Sequence, residues 1–293
     1  MKNDIKTKIL SASIKIPFQV LINSLLPKFL SINNYGAYDL VLSIGQRIYS
    51  LIEGGSLTAF YIRYSKNNEK GFLSYYLKYV IYSIIISVIV FFILYAINFL
   101  RYDKIGLSIT EFILFIIYLW LLFVINFLTK VYDASNKTKI IEIVKVIIFI
   151  ISSLFLITLL FFNYYNDFRL LLIFNIIIYG LFSAFLLYKI EGINIFNKNK
   201  KKDYKKYLIN YTKPLYLYLL ISTLSIILGR IILQYYGDNL FQALYGLSFK
   251  IVTVFIVLMS SVVPILTREF SKSLNDFKKF KLLLNESFVY ISL

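Results

Sequence analysis

Eight apolar runs of roughly 20 residues leave this chain few folds to choose from. They lie at about 9–31, 37–62, 79–100, 107–129, 140–162, 168–189, 213–235 and 241–266, and a ninth, SFVYISL, begins near residue 284. Runs of that length span the hydrocarbon core of a bilayer as helices, which satisfy their own backbone hydrogen bonds in lipid. Only 16% of residues are charged, against about 25% in soluble domains, and mean hydropathy is +0.74. The reading is an all-α polytopic membrane protein with eight transmembrane helices and the start of a ninth. The basic N-terminus does not read as a cleaved signal peptide, because Lys15 and Pro17 interrupt its apolar stretch.

The net charge of +17 would suggest nucleic acid in a polar chain, but here it follows the topology. Lys and Arg in alternate loops obey the positive-inside rule: 23 fall on one side and four on the other, with Lys15, Arg47, Lys145, Arg230 and Lys250 inside spans. The expected placement is a bacterial cytoplasmic membrane with the N-terminus inside and no nucleic-acid partner. The one long polar connection, EGINIFNKNKKKDYKKYLINYTK, divides the chain into a six-helix bundle (1–190), a basic linker held near anionic lipid (191–212) and a partial second bundle (213–293).

The charges inside spans carry the functional argument. The stretch from Tyr35 to Lys66 crosses the membrane yet contains Asp39, Arg47 and Glu53, with Gly54-Gly55 in its second half. A charge at membrane depth costs on the order of 2.5–3.5 kcal/mol, so such residues face a cavity or a partner. Lys15 in the first helix, Arg230 in the seventh and Lys250 in the eighth belong with them. Glu142 and Lys145, three apart near one end of the fifth helix, are placed to pair or snorkel. Asp133, in KVYDASNKTK, reads as part of an ordinary turn. Three prolines fall inside the charged helices, Pro17 and Pro27 in the first and Pro264 in the eighth, and Pro214 opens the seventh. Pro17, Pro27, Pro264 and the glycine pair are expected to kink their helices. Charges and prolines thus select the first, second, seventh and eighth helices as the cavity lining.

Enzyme chemistry finds no support. Cys and His are absent, and no phosphate-binding loop or H-E-x-x-H appears, so neither a catalytic residue nor a metal or other cofactor is expected. Transport would be driven by an ion gradient, the membrane potential or the substrate's own gradient. A faint repeat at an offset of 205 residues aligns LSIGQRI at 42–48 with LSFKIVT at 247–253 and Arg63 with Arg268. Repeated halves around a central polar site are a transporter arrangement.

Several of these stretches resemble the polysaccharide-biosynthesis (O-antigen repeat-unit) flippases of the multidrug/oligosaccharidyl-lipid/polysaccharide exporter superfamily. They are Tyr35-Gly36-Ala37-Tyr38, Gly54-Gly55 with Arg63, Lys213-Pro214-Leu215, the hairpin GRIILQYYGDNLFQALYGLSFKI, and Val263-Pro264-Ile265-Leu266-Thr267-Arg268. The resemblance implies a MATE-like fold, two six-helix bundles around a central cavity, of which this chain holds the first and a truncated second. It implies alternating-access transport of an undecaprenyl-diphosphate-linked glycan to the outer leaflet, with membrane lipid and polysaccharide polymerase or assembly proteins as partners. Lys15, Arg47, Lys250 and Arg230 would be the cavity cations for the diphosphate, and Glu53 or Asp39 would balance charge or carry a coupling ion. A drug/cation antiporter of the same superfamily and a non-transporting membrane scaffold are the alternatives.

Overall fold

The computed structural model describes residues 2–101, 108–162, 168–190, 201–273 and 281. Among them the order is α1 (Lys2–Leu30), α2 (Ile32–Glu53), α3 (Ser56–Asn67), α4 (Lys70–Arg101), α5 (Ile109–Ala134), α6 (Thr138–Phe161), α7 (Phe168–Tyr188) and α8 (Lys201–Ser273). No strand occurs among the described residues. Asp238, at φ 54 and ψ −161, breaks α8 into two arms, 201–237 and 239–273. Among the described residues six stretches are long and apolar enough to cross a membrane, and the last of them, Asp203–Lys250, reaches into both arms of α8. The ninth run, from residue 284, lies outside the described residues.

The second span is two helices. Gly54 (φ 55) and Gly55 (φ 79) both occupy the left-handed region, which costs an L-residue with a side chain roughly 1–2 kcal/mol. Gly54 N–H donates to the Ser50 carbonyl at 3.1 Å and closes α2; the Gly55 carbonyl then accepts from Thr58 and Ala59 to open α3. The chain therefore breaks at the glycine pair, whereas α1 runs on as one helix through Pro17 and Pro27. In the second arm of α8 the Pro264 carbonyl accepts the Tyr61 hydroxyl of α3.

Packing follows the aromatic residues. Phe60 stacks on Tyr76 at 4.5 Å and touches Phe72 and Phe127, joining α3, α4 and α5. Near the other end Tyr38, Phe115 and Phe168 join α2, α5 and α7. Outward faces carry exposed Ile81, Ile85, Ile89, Leu154 and Leu181, as a lipid-facing surface requires. α1 packs mainly on α6, α5 on α7, and α2 and α3 mainly on α8.

Contacts at the two ends keep apart the loops that the charge bias separates. At the basic end Arg268 Nη2 meets Asp4 at 2.6 Å, Arg268 Nη1 donates to the Asp133 carbonyl at 2.8 Å, and Ser65 meets Ser271 at 3.0 Å. Arg63 lies within about 5 Å of the Phe72, Tyr204 and Tyr207 rings, which seats the start of α8 against the turn between α3 and α4. At the opposite end Glu111 closes a capping box with Ser108 and pairs with Arg169.

Candidate functional site

A chamber opens between α1, α2, α5 and α6, in two adjoining parts of about 550 and 430 Å³. Lys15, Glu53, Asn126 and Lys145 line both parts, so α1, α2, α5 and α6 all contribute to it. The larger part adds Gln19, Gln46, Ser50 and Tyr49; the smaller, nearer the basic end, adds Lys8, Lys130 and Glu142. Of the helices expected to line a cavity, the first and second do so here, and α5 and α6 supply walls that the sequence reading did not select. Among the described side chains of α8, Pro264 reaches these walls. The charges of α5 and α6 point inward into the bundle.

Those charges form one network. Lys8 Nζ lies 2.6 Å from Asp133 and 3.0 Å from Glu142, and Lys15 Nζ lies 2.7 Å from the other Glu142 oxygen. Ser11 Oγ donates to that same oxygen at 2.6 Å, and Lys145 stands 3.9 Å from Glu142. Asp133 is completely buried, which overturns its reading as an ordinary turn residue. Lys8, one of the basic residues of the N-terminal segment, is only 4% exposed. The spacing of Lys8, Ser11 and Lys15 held the clue, since positions i, i+3 and i+7 share one helix face. Lys130 sits 5.1 Å from the Tyr61 ring and Glu53 accepts from the Leu57 amide, but neither has an opposite charge within 4 Å among the described residues.

A second cluster lies toward the opposite end, where α2 meets both arms of α8. Asp39 is 4% exposed, with Arg230 Nη2 at 2.9 Å and Lys250 Nζ at 3.4 Å. Arg230 also donates to Gln242 at 3.0 Å and covers the Tyr245 ring at 4.5 Å; Lys250 covers Tyr35 at 4.7 Å. Gly246 makes the approach possible, because a Cβ there would collide with the Asp39 carboxylate. Arg230 is 5% exposed and held inside.

The six charged candidates therefore divide. Lys15 and Glu53 line the chamber, Asp39, Arg230 and Lys250 form the cluster between α2 and α8, and Arg47 stands apart, half-buried on α2 and outside the chamber walls.

No family model matches the sequence, and no curated protein matches it. Among solved structures the chain is similar to the Vibrio cholerae MATE transporter VcmN, crystallised as a mutant. The TM-score is 0.61 and the identity 13%, over 97% of this chain and 68% of that one. The chain has the fold of a MATE transporter. With its apolar helices, that fold makes it a multi-pass membrane protein.

Proposed function

We propose that this chain is a membrane transporter of the multidrug/oligosaccharidyl-lipid/polysaccharide exporter type, and that its cargo is a lipid-linked oligosaccharide carried on an anionic diphosphate. One observation carries the choice of cargo: four lysines (Lys8, Lys15, Lys130 and Lys145) against two glutamates (Glu53 and Glu142) line the inner part of the chamber. A diphosphate leaving water needs cationic partners in low dielectric, and a surplus of ammonium groups supplies them. Lys130 is the group best placed, since no carboxylate within 4 Å neutralises it among the described residues. Lys15 and Lys145 are already shared with Glu142, and Arg230 and Lys250 with Asp39. The protein would work with its basic end in the cytoplasm, taking cargo there and releasing it to the outer leaflet.

The test is complementation of a strain that lacks its own repeat-unit flippase, scored by surface polysaccharide. Lys130→Gln is expected to reduce display strongly at unchanged protein level, with Lys130→Arg retaining most of it. Full display with Lys130→Gln, or with a Lys15→Gln/Lys130→Gln pair, would exclude the diphosphate assignment.

A second reading, cation or drug antiport, is supported by the MATE fold and by Glu53, a chamber carboxylate with no cation within 4 Å among the described residues. It expects proton-coupled efflux of a cationic dye that Glu53→Gln abolishes, and no effect of Lys130→Gln on that efflux.

A further inference from the structure

Outside the chamber, one depression on the basic end gathers positive charge with no acid among its described lining residues. It has a volume of about 150 Å³, below the ~300–1,000 Å³ of pockets that hold drug-sized ligands. Lys70, Lys137 and Lys189 line it, together with Asn68, Ser135 and Tyr64. The three lysines come from three separate places in the fold: the first residue of α4, the turn into α6, and the residue after α7. Folding thus brings three lysines from separate segments to one depression, and the Nζ of Lys189 also lies 4.7 Å from the Phe185 ring. None of the three has a carboxylate within 4 Å among the described residues. Glu69, the acid beside Lys70, is turned away, with its oxygens held by Arg63 and Asn67.

The backbone adds to the same field. Lys137 is the N-cap of α6 and makes no side-chain capping bond, so the first amides of α6 lack the usual side-chain acceptor. Free amides at a helix start carry partial positive charge and favour an anion. Asn68, Ser135 and Tyr64 supply neutral polar groups suited to holding phosphate oxygens.

We propose that this pocket is a binding site for a phosphate group, distinct from the transport chamber, with Lys70, Lys137 and Lys189 as its ligands. The same chemistry is offered by the headgroup of an anionic phospholipid at the membrane surface and by free phosphate, and the test separates the two.

The purified full chain in detergent is titrated with dioctanoyl phosphatidylglycerol, with dioctanoyl phosphatidylcholine as the uncharged-headgroup control, and separately with inorganic phosphate, following the rise in melting temperature. A rise with phosphatidylglycerol but not with phosphate assigns a lipid headgroup; a rise with phosphate alone assigns a free anion. Each lysine changed to Gln is expected to weaken half-saturation about fivefold, and all three together on the order of a hundredfold. Lys139→Gln/Lys205→Gln/Lys206→Gln, which removes as much charge from exposed positions outside the pocket, is expected to leave it nearly unchanged. The single variants keep the comparison readable if the triple variant is unstable. Absence of any rise in the wild type, equal responses to the two lipids without a response to phosphate, or equal losses in the two triple variants would overturn the proposal.

Discussion

Asp39 and Arg230 meet at 2.9 Å across the seam between α2 and α8, and both are almost wholly buried. A buried pair of this kind contributes little when whole, because desolvating the two ions offsets their attraction, yet breaking it strands a charge at a cost of about 3–5 kcal/mol. Asp39→Asn leaves Arg230 and Lys250 facing each other in the seam. It is expected to lower the melting temperature in detergent well beyond the effect of an exposed change such as Lys66→Gln. Adding Arg230→Gln to Asp39→Asn should recover part of the loss, and additive losses would show that the two residues do not interact.

Glu142 holds Lys8 and Lys15 directly and has Lys145 at 3.9 Å. Glu142→Gln leaves a surplus of ammonium groups in the wall, so it is expected to destabilise by about 3–5 kcal/mol, measured as a shift in denaturation midpoint. Lys145→Gln removes only the longest of the three contacts and should cost a small fraction of that. Equal effects of the two variants would contradict the network as described.

Gly54→Ala and Gly55→Ala each force a Cβ into the left-handed region, at a cost of roughly 1–2 kcal/mol apiece. The expected outcome is a moderate fall in thermal stability for each and roughly additive behaviour in the pair. A stability gain on substitution would mean that the break between α2 and α3 is absent in the folded protein.

Glu69 lies in the turn between α3 and α4, outside the spans. Partial burial opposes its ionisation, but the hydrogen bond from Asn67 and the Arg63 guanidinium outweigh it and hold the carboxyl below its ordinary value of 4.5. A carboxyl whose folded pKa is depressed stabilises the fold at any pH above the unfolded value and loses that contribution as pH falls through the folded one. The wild type should therefore exceed Glu69→Gln in stability at neutral pH, with the gap closing below about pH 4.5. Melting curves from pH 7 to pH 3 check it, and a gap that widens on acidification would reverse the assignment.

Much of the fold was legible because lipid imposes simple rules. Span lengths, loop charge and the glycine pair are one-dimensional signals, and the contacts at the two ends group the loops as the Lys and Arg bias does. The candidate site was legible only in part. Lys15 and Glu53 were singled out as charges at depth and do line the chamber. The roles of Lys8 and Asp133 were hidden because both sit near span ends, where a charge is usually solvated, and only three-dimensional packing buries them against Glu142. The share of α5 and α6 in the chamber was not legible for a related reason. A charge count reports which helices carry polar groups, whereas helix rotation decides which neighbours those groups face.

The way α2 and α3 pack also departs from the order of the chain. They precede the basic linker in sequence, yet their most extensive packing is on α8, with Asp39, Tyr61 and Ser65 as fastenings along the shared length. α1, by contrast, is fastened to α5 and α6 through Lys8 and Lys15. The first two helices, joined at Ser31 (φ 63), thus hold mainly to different neighbours, α6 and α8, so the packing of this molecule cuts across its order in sequence.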